Sequence, residues 1–250
     1  MSRNALDIAI DRLYATFAHY PRQTDMEHCD HCISEEEVQE LVSTPLRTLA
    51  AEGAYSYAVD AITLWGTPDD FKHFLPRLMD LLTRDPDFIV DPEVMLGKFR
   101  HAKWMNWPAM ETEAVRDFLS VFWLNALTGL NSVMEPGAVL CAIGNAEDNL
   151  APYLEIWSRL DTSVSASRLA AFVDENYPVI LKKGKLNNAF WEEREVQATQ
   201  VLKWLRDPNL GQGLERMAMS ERDATLAERL MSAAERLEFL RRIEVNPRSG

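Results

Sequence analysis

Two cysteines placed two residues apart are the residues of this sequence with the clearest chemical potential. Cys29 and Cys32 lie in the string His28-Cys29-Asp30-His31-Cys32. A Cys-x-x-Cys loop lets two thiolates bind one zinc ion at about 2.3 Å, but a closed structural site needs two further ligands. The same spacing also suits thiol redox chemistry. Three interpretations are therefore open: half of a structural zinc site, a redox pair, or unpaired thiols in an ordinary loop.

The remaining ligands of a zinc site could be the adjacent histidines or a distant donor, which could be His19, His73, His101 or Cys141. His28 and His31 are adjacent to the cysteines, but backbone geometry makes it hard for all four neighbouring side chains to meet one ion. A distant donor is easier, and His73 is the best candidate because it falls on the polar stripe of a predicted helix. An exposed surface histidine is the alternative interpretation of His73. The predicted ligands of a structural zinc ion are Cys29, Cys32, His73 and His28.

Acidic residues surround the cysteines. Residues 25–40 contain seven acids and no Lys or Arg. Negative charge raises the pKa of a neighbouring thiol, which works against reactivity, whereas it attracts a cation or a basic partner. A redox pair also normally places its first Cys at a helix N-terminus, and here Ser34 is the better N-cap. The charge pattern therefore favours the zinc site over the redox pair.

The composition excludes some classes of function. The chain has 250 residues and a net charge of -13, and residues 1–125 alone carry 21 acids and 11 bases. Such a surface repels phosphate, so we expect no nucleic-acid partner. Apolar stretches end well before about 18 residues, so we expect no membrane span. Asp7 and Asp11 stand where a signal peptide needs an apolar core, and we therefore expect a cytoplasmic protein.

Helix signals recur along nearly the whole chain. Ser34 with Glu37 forms a capping-box pattern. Gly66 suits the left-handed position at the end of one helix, and Thr67 and Pro68 suit the N-cap and first turn of the next. Pro76 is expected to kink or split the helix that follows. The sequence predicts an all-α protein of about ten short helices, arranged as an irregular bundle or a helical-repeat-like stack. We expect a single domain over residues 1–250, with a seam, if there is one, near residues 130–144.

Two segments of the chain carry a resemblance. His28–Cys32 and the string Trp65-Gly66…Phe71-Lys72-His73-Phe74-Leu75-Pro76-Arg77 resemble a group of uncharacterised bacterial helical proteins. Those proteins pair an N-terminal Cys-x-x-Cys with a Trp-Gly…Phe-x-His-Phe-Leu-Pro-Arg segment. The resemblance covers roughly the first 100 residues and implies no established activity. It implies that Cys29, Cys32 and His73 belong together.

The function expected from these features is protein–protein interaction. The sequence has no phosphate-cradling glycine loop, His-Glu-x-x-His helix or nucleophile elbow. We therefore predict an inhibitor or immunity-type protein, whose acidic face covers a partner with a basic surface, such as the active site of a toxin. The alternative is an enzyme that uses Cys29 and Cys32, either a metal-dependent hydrolase or a thiol oxidoreductase. A scaffold with several partners would differ from the first prediction only in the number of proteins bound.

Overall fold

The computed structural model describes residues 4–22, 24–129 and 134–243, and this part of the chain is all-helical, without a β-strand. Its helices are α1 (Ala5–Phe17), α2 (Glu35–Ser43), α3 (Ala51–Asp60), α4 (Pro68–Arg84), α5 (Pro92–His101), α6 (Ala109–Thr128), α7 (Pro136–Ala146), α8 (Ala151–Arg159), α9 (Ser163–Lys183), α10 (Glu195–Trp204), α11 (Pro208–Ser220) and α12 (Ala224–Arg242). Short 3-10 helices cover Leu46–Thr48, Trp104–Asn106 and Ala189–Trp191. The predicted all-α class is confirmed. No helix in the described ranges is long and apolar enough to cross a membrane.

The predicted number of helices was too low, since the described residues form twelve α-helices and not ten. Helices α7 and α11 were not predicted, and both begin with proline. Proline is tolerated in the first turn because its missing N–H has no partner there. The expected seam near residues 130–144 falls partly on residues 130–133, outside the described residues, and Pro136 onward is helix. The bundle or stack arrangement stays a prediction.

The chain forms two compact units, Met1–Phe122 and Trp123–Gly250. The boundary falls within α6, and each unit has its own buried side chains and is described by itself below. The single-domain prediction concerns the association of these units and stays a prediction.

The first unit is built around α4. A capping box begins this helix: the Thr67 hydroxyl accepts the Asp70 N–H, and the Asp70 carboxylate accepts the Thr67 N–H. The helix continues through Pro76 without a break, contrary to the expectation from sequence. Its neighbours Phe74, Leu75, Leu78 and Met79 are all buried. Burial of apolar side chains on both sides of Pro76 offsets the one helical hydrogen bond that proline cannot make.

A buried ionic network links α4 to α6 in the first unit. Lys72 on α4 places Nζ 3.0 Å from Glu111 Oε2 and donates to the Tyr20 hydroxyl at 2.7 Å. The Tyr20 hydroxyl in turn donates to Glu111 Oε1 at 2.8 Å. The side chains of Lys72 and Glu111 are only 8% and 3% exposed. Burial alone would lower the pKa of Lys72, but its hydrogen bonds to Tyr20 and Glu111 and the charge of Glu111 outweigh it and raise that pKa.

The core of the second unit contains a group of aromatic side chains around Trp157. The Trp157 ring centroid lies 5.2 Å from that of Trp123, 5.3 Å from that of Trp204 and 5.4 Å from that of Phe172. The indole N–H of Trp123 donates to the Tyr153 carbonyl at 2.8 Å. This core therefore joins α6, α8, α9 and α10.

Lys72→Met should destabilise the first unit strongly. The substitution leaves the Glu111 carboxylate buried without its cation, which costs about 3 kcal/mol or more. Urea unfolding followed by circular dichroism measures the change in the free energy of unfolding. The matched control is Lys185→Met at an exposed loop position, where we expect a change within about 0.5 kcal/mol. An equally small change for Lys72→Met would contradict a structural role for the network.

Candidate functional site

The loop that carries the cysteines docks on the turn before α4. We call residues 26–33 the thiol loop. The Cys29 N–H donates to the Leu64 carbonyl at 2.9 Å, and the Gly66 N–H donates to the Glu27 carbonyl at 2.6 Å. His28 and Trp65 form an isolated antiparallel bridge between the same two segments. The structure thus brings together the two segments on which the resemblance rests.

Gly66 permits this close approach. Its φ of 75° lies in the left-handed region, as its place at the end of the preceding turn predicted from sequence. A Cβ at this position would lie 2.9 Å from Met26 Cε and 3.1 Å from Asp70 Cβ. Met26 is fully buried there. Any side chain at residue 66 would therefore displace either the thiol loop or the first turn of α4.

The two cysteines meet within a single tight turn. The N–H groups of Cys32 and Ile33 donate to the Cys29 carbonyl at 2.8 Å and 2.9 Å. This turn places Cys29 Sγ 3.5 Å from Cys32 Sγ, with Cys29 half-buried and Cys32 exposed. The two sulfur atoms are therefore close enough to share one metal ion or to exchange one proton.

The local hydrogen bonds separate the acidities of the two thiols. The pKa of Cys29 is lowered, first by the hydrogen bond between the Cys29 and Cys32 thiols and then by the backbone N–H groups of His31 and Cys32. The same thiol–thiol hydrogen bond raises the pKa of Cys32, with a smaller contribution from the charge of Asp60. The charges of neighbouring acids do raise the pKa of both thiols, as expected from sequence, but for Cys29 the hydrogen bonds outweigh that effect. Asp30 opposes the shift but is the smallest contribution to it.

The two predicted histidine ligands have other contacts. His28 has Nδ1 2.9 Å from the Met26 carbonyl and Nε2 3.7 Å from carboxylate oxygens of Asp30 and Glu35. His73 has Nδ1 2.9 Å from the Tyr20 carbonyl. Within residues 4–22, 24–129 and 134–243, no three His, Cys, Asp or Glu side chains are grouped as ligands for a metal ion. The structure brings Cys29 and Cys32 together, and zinc binding stays a prediction.

The acids around the cysteines lie on the surface. We call residues 25–40 the acidic segment. Six of its seven acids are exposed, and Glu37 is half-buried in the capping box of α2. Backbone and hydroxyl hydrogen bonds from Ser34 lower the pKa of Glu37. Apolar residues of the same segment, Met26, Ile33 and Val38, are buried. The segment is therefore attached to the first unit by its apolar residues, with its carboxylates in solvent.

Two contacts at this site could not be predicted from the sequence. The Leu64 carbonyl receives the Cys29 N–H, and the Asp60 charge acts on Cys32. Both residues are distant in sequence from the cysteines, so no local pattern connects them. Gly66 is the residue whose sequence pattern could have indicated this contact. Its left-handed conformation was predicted, but its closeness to the thiol loop was not.

Gly66→Ala should destabilise the first unit by about 2 kcal/mol or more, because the new Cβ meets both a left-handed backbone and the Met26 side chain. Gly97→Ala in α5 is the matched control, since a Cβ there has no atom within 4 Å. The control should raise the free energy of unfolding by about 0.5–1 kcal/mol, because alanine favours helix. Chemical unfolding of both variants measures the two changes in the free energy of unfolding. A free energy of unfolding for Gly66→Ala equal to that of the wild type would contradict the close approach at residue 66.

The site was also compared with known proteins. Searches against protein-family models, curated proteins and solved structures returned no match for this chain. Its function is therefore inferred from the geometry of its own residues: a pair of thiols of unequal acidity, held in a fixed turn and surrounded by exposed carboxylates.

Proposed function

We propose that this chain is a cytoplasmic protein–protein interaction protein whose acidic segment binds a basic surface of another protein. The observation that carries the proposal is the arrangement of residues 25–40. Six exposed acids and no Lys or Arg share a segment whose apolar residues are buried. The concrete form that we propose is an inhibitor or immunity-type protein, which covers a basic active site such as that of a toxin.

A fixed backbone makes such a surface more effective. Binding costs free energy for every loop and side chain that must become ordered at the interface. The acidic segment has two backbone hydrogen bonds to the turn before α4 and a capping box at Ser34, so part of that ordering precedes binding. Complementary charge then mainly accelerates association and selects the partner. These properties suit a protein that must capture a basic partner quickly.

Neutralising two exposed acids should weaken this binding. We expect Asp30→Asn with Glu36→Gln to reduce capture of a basic partner from lysate of the native host, because each removes a charge and neither belongs to the capping box. Glu192→Gln with Glu193→Gln is the control, since it removes the same charge from an exposed pair in the second unit. The relevant partners are the proteins that both the wild type and the control variant retain, and the amount of each that the double variant in the acidic segment retains is compared with them.

The dependence of partner binding on salt concentration is a second test in the same experiment. Raising the ionic strength from about 0.05 M to about 0.3 M shortens the range of electrostatic attraction, and the retained protein should be released. A partner that resists both salt and the double substitution in the acidic segment would contradict the proposal.

A second candidate function rests on the thiols. Cys29 Sγ lies 3.5 Å from Cys32 Sγ, and the pKa of Cys29 is lowered while that of Cys32 is raised. An acidic thiol next to a second, more basic thiol is the arrangement that thiol–disulfide exchange uses, because the thiolate is the nucleophile. The same pair would supply two of the four ligands of a structural zinc ion, which we retain as the proposed cofactor.

Alkylation separates these two roles of the thiols. In metal-free protein at pH 7, Cys29 should react with iodoacetamide faster than it does in urea, because unfolding removes the hydrogen bonds that lower its pKa. Cys141 is fully buried and should react only after unfolding. Mass spectrometry of peptides measures each site, and a rate for Cys29 no faster than in urea would contradict an acidic thiol. Stoichiometric zinc in protein purified without chelator, lost in Cys29→Ser, would support the structural metal site.

A further inference from the structure

A cleft in the second unit has the size and lining of a small-molecule site. It has a volume of about 710 Å³ and lies among the end of α8, the start of α9 and one side of α11 along its length. Small-molecule sites typically measure about 300–1,000 Å³ and combine apolar walls with a few placed polar groups. Leu169, Leu210, Leu214 and Met217 supply apolar surface here.

The charges at this cleft favour an anion, in contrast to the chain as a whole. Three arginines line it, at positions 159, 216 and 222, together with two acids, Asp161 and Glu221. The Glu221 carboxylate already accepts the Ser163 hydroxyl at 2.6 Å and the Arg222 backbone N–H at 2.7 Å. These hydrogen bonds hold its pKa below the ordinary value. The Glu221 carboxylate therefore already has hydrogen-bond donors within the protein.

Two of the three arginines have no ion pair to the described residues. The Arg159 guanidinium pairs with Glu155 on its own helix. Arg216 and Arg222 are exposed at the cleft, and neither guanidinium lies within ion-pair distance of a carboxylate in the described part of the chain. A guanidinium presents several N–H donors in a planar fork that matches a carboxylate or phosphate group.

The first turn of α9 adds a favourable helix dipole to the same cleft. Ser165 lines the cleft and is only 1% exposed. Ser165 lies in the first turn of α9, where the helix dipole also favours negative charge.

We propose that this cleft binds a small organic anion. Its carboxylate or phosphate group pairs with Arg216 and Arg222, and its apolar body lies against Leu210, Leu214 and Met217. The site belongs to the second unit and uses none of the residues of the acidic segment. Loss of anion binding at this cleft would therefore leave the proposed interaction of the acidic segment unaffected. A negative result for one proposal does not contradict the other.

Phenyl phosphate is a suitable probe, since it joins the two features that the cleft recognises. Isothermal titration calorimetry should give tighter binding for phenyl phosphate than for inorganic phosphate, which lacks the apolar body, or phenol, which lacks the charge. Arg216→Gln with Arg222→Gln should weaken phenyl phosphate binding by about tenfold or more, because hydrogen bonds to a charged group are lost. Equal affinity for phenyl phosphate and inorganic phosphate would overturn the proposal.

Gly213→Leu tests the location of the binding site without harming the fold. Gly213 lines the cleft within α11, and the nearest atom to a Cβ there would be Arg216 Nη2 at 3.9 Å. A leucine at this position should occupy the cleft while favouring helix. The matched control is Gly97→Leu in α5, where a Cβ again has open space.

Phenyl phosphate binding should be abolished by Gly213→Leu and retained in Gly97→Leu, with thermal unfolding confirming that both variants are folded. Binding that survives Gly213→Leu, or no measurable binding of phenyl phosphate to the wild type at millimolar concentration, would overturn the proposal.

Discussion

The arrangement of the first unit depends on one close backbone approach, between the thiol loop and Gly66. The Gly66 N–H donates to the Glu27 carbonyl and the Cys29 N–H donates to the Leu64 carbonyl, and a Cβ at residue 66 would lie 2.9 Å from Met26 Cε in the thiol loop. The next residue, Thr67, begins α4 through its capping box with Asp70. The same position therefore fixes the thiol loop and the start of the helix that supplies much of the core.

This constraint also determines which side chains face solvent. Met26 and Ile33 are buried on either side of the cysteines, whereas the two acids between them, Glu27 and Asp30, are exposed. The carboxylates of the acidic segment and the two thiols thus share one preformed surface. The turn that brings the sulfur atoms together also directs N–H groups at Cys29, which is why its acidity follows local geometry and not the surrounding negative charge.

The sequence predicts features that depend on neighbouring residues. The all-α class, the capping box at Ser34, the N-cap at Thr67 and the left-handed Gly66 all follow from local patterns, and all are confirmed. The features that the sequence did not predict depend on contacts between distant residues. Helix α4 continues through Pro76 because of burial on both sides, and His73 contacts Tyr20 through partners that no spacing rule identifies. The arginine-lined cleft combines three helices that are separate in sequence.

The central claim is that the acidic segment is held in one arrangement before any partner binds. Native-state hydrogen exchange of the Cys29 and Gly66 amides tests this claim directly, because both are donors in the bonds that attach the thiol loop. The account predicts that both amides exchange slowly and at similar rates, as members of one cooperative unit. Exchange of either amide at the rate of an unprotected peptide would contradict it, since the acidic segment would then be unattached in the free protein.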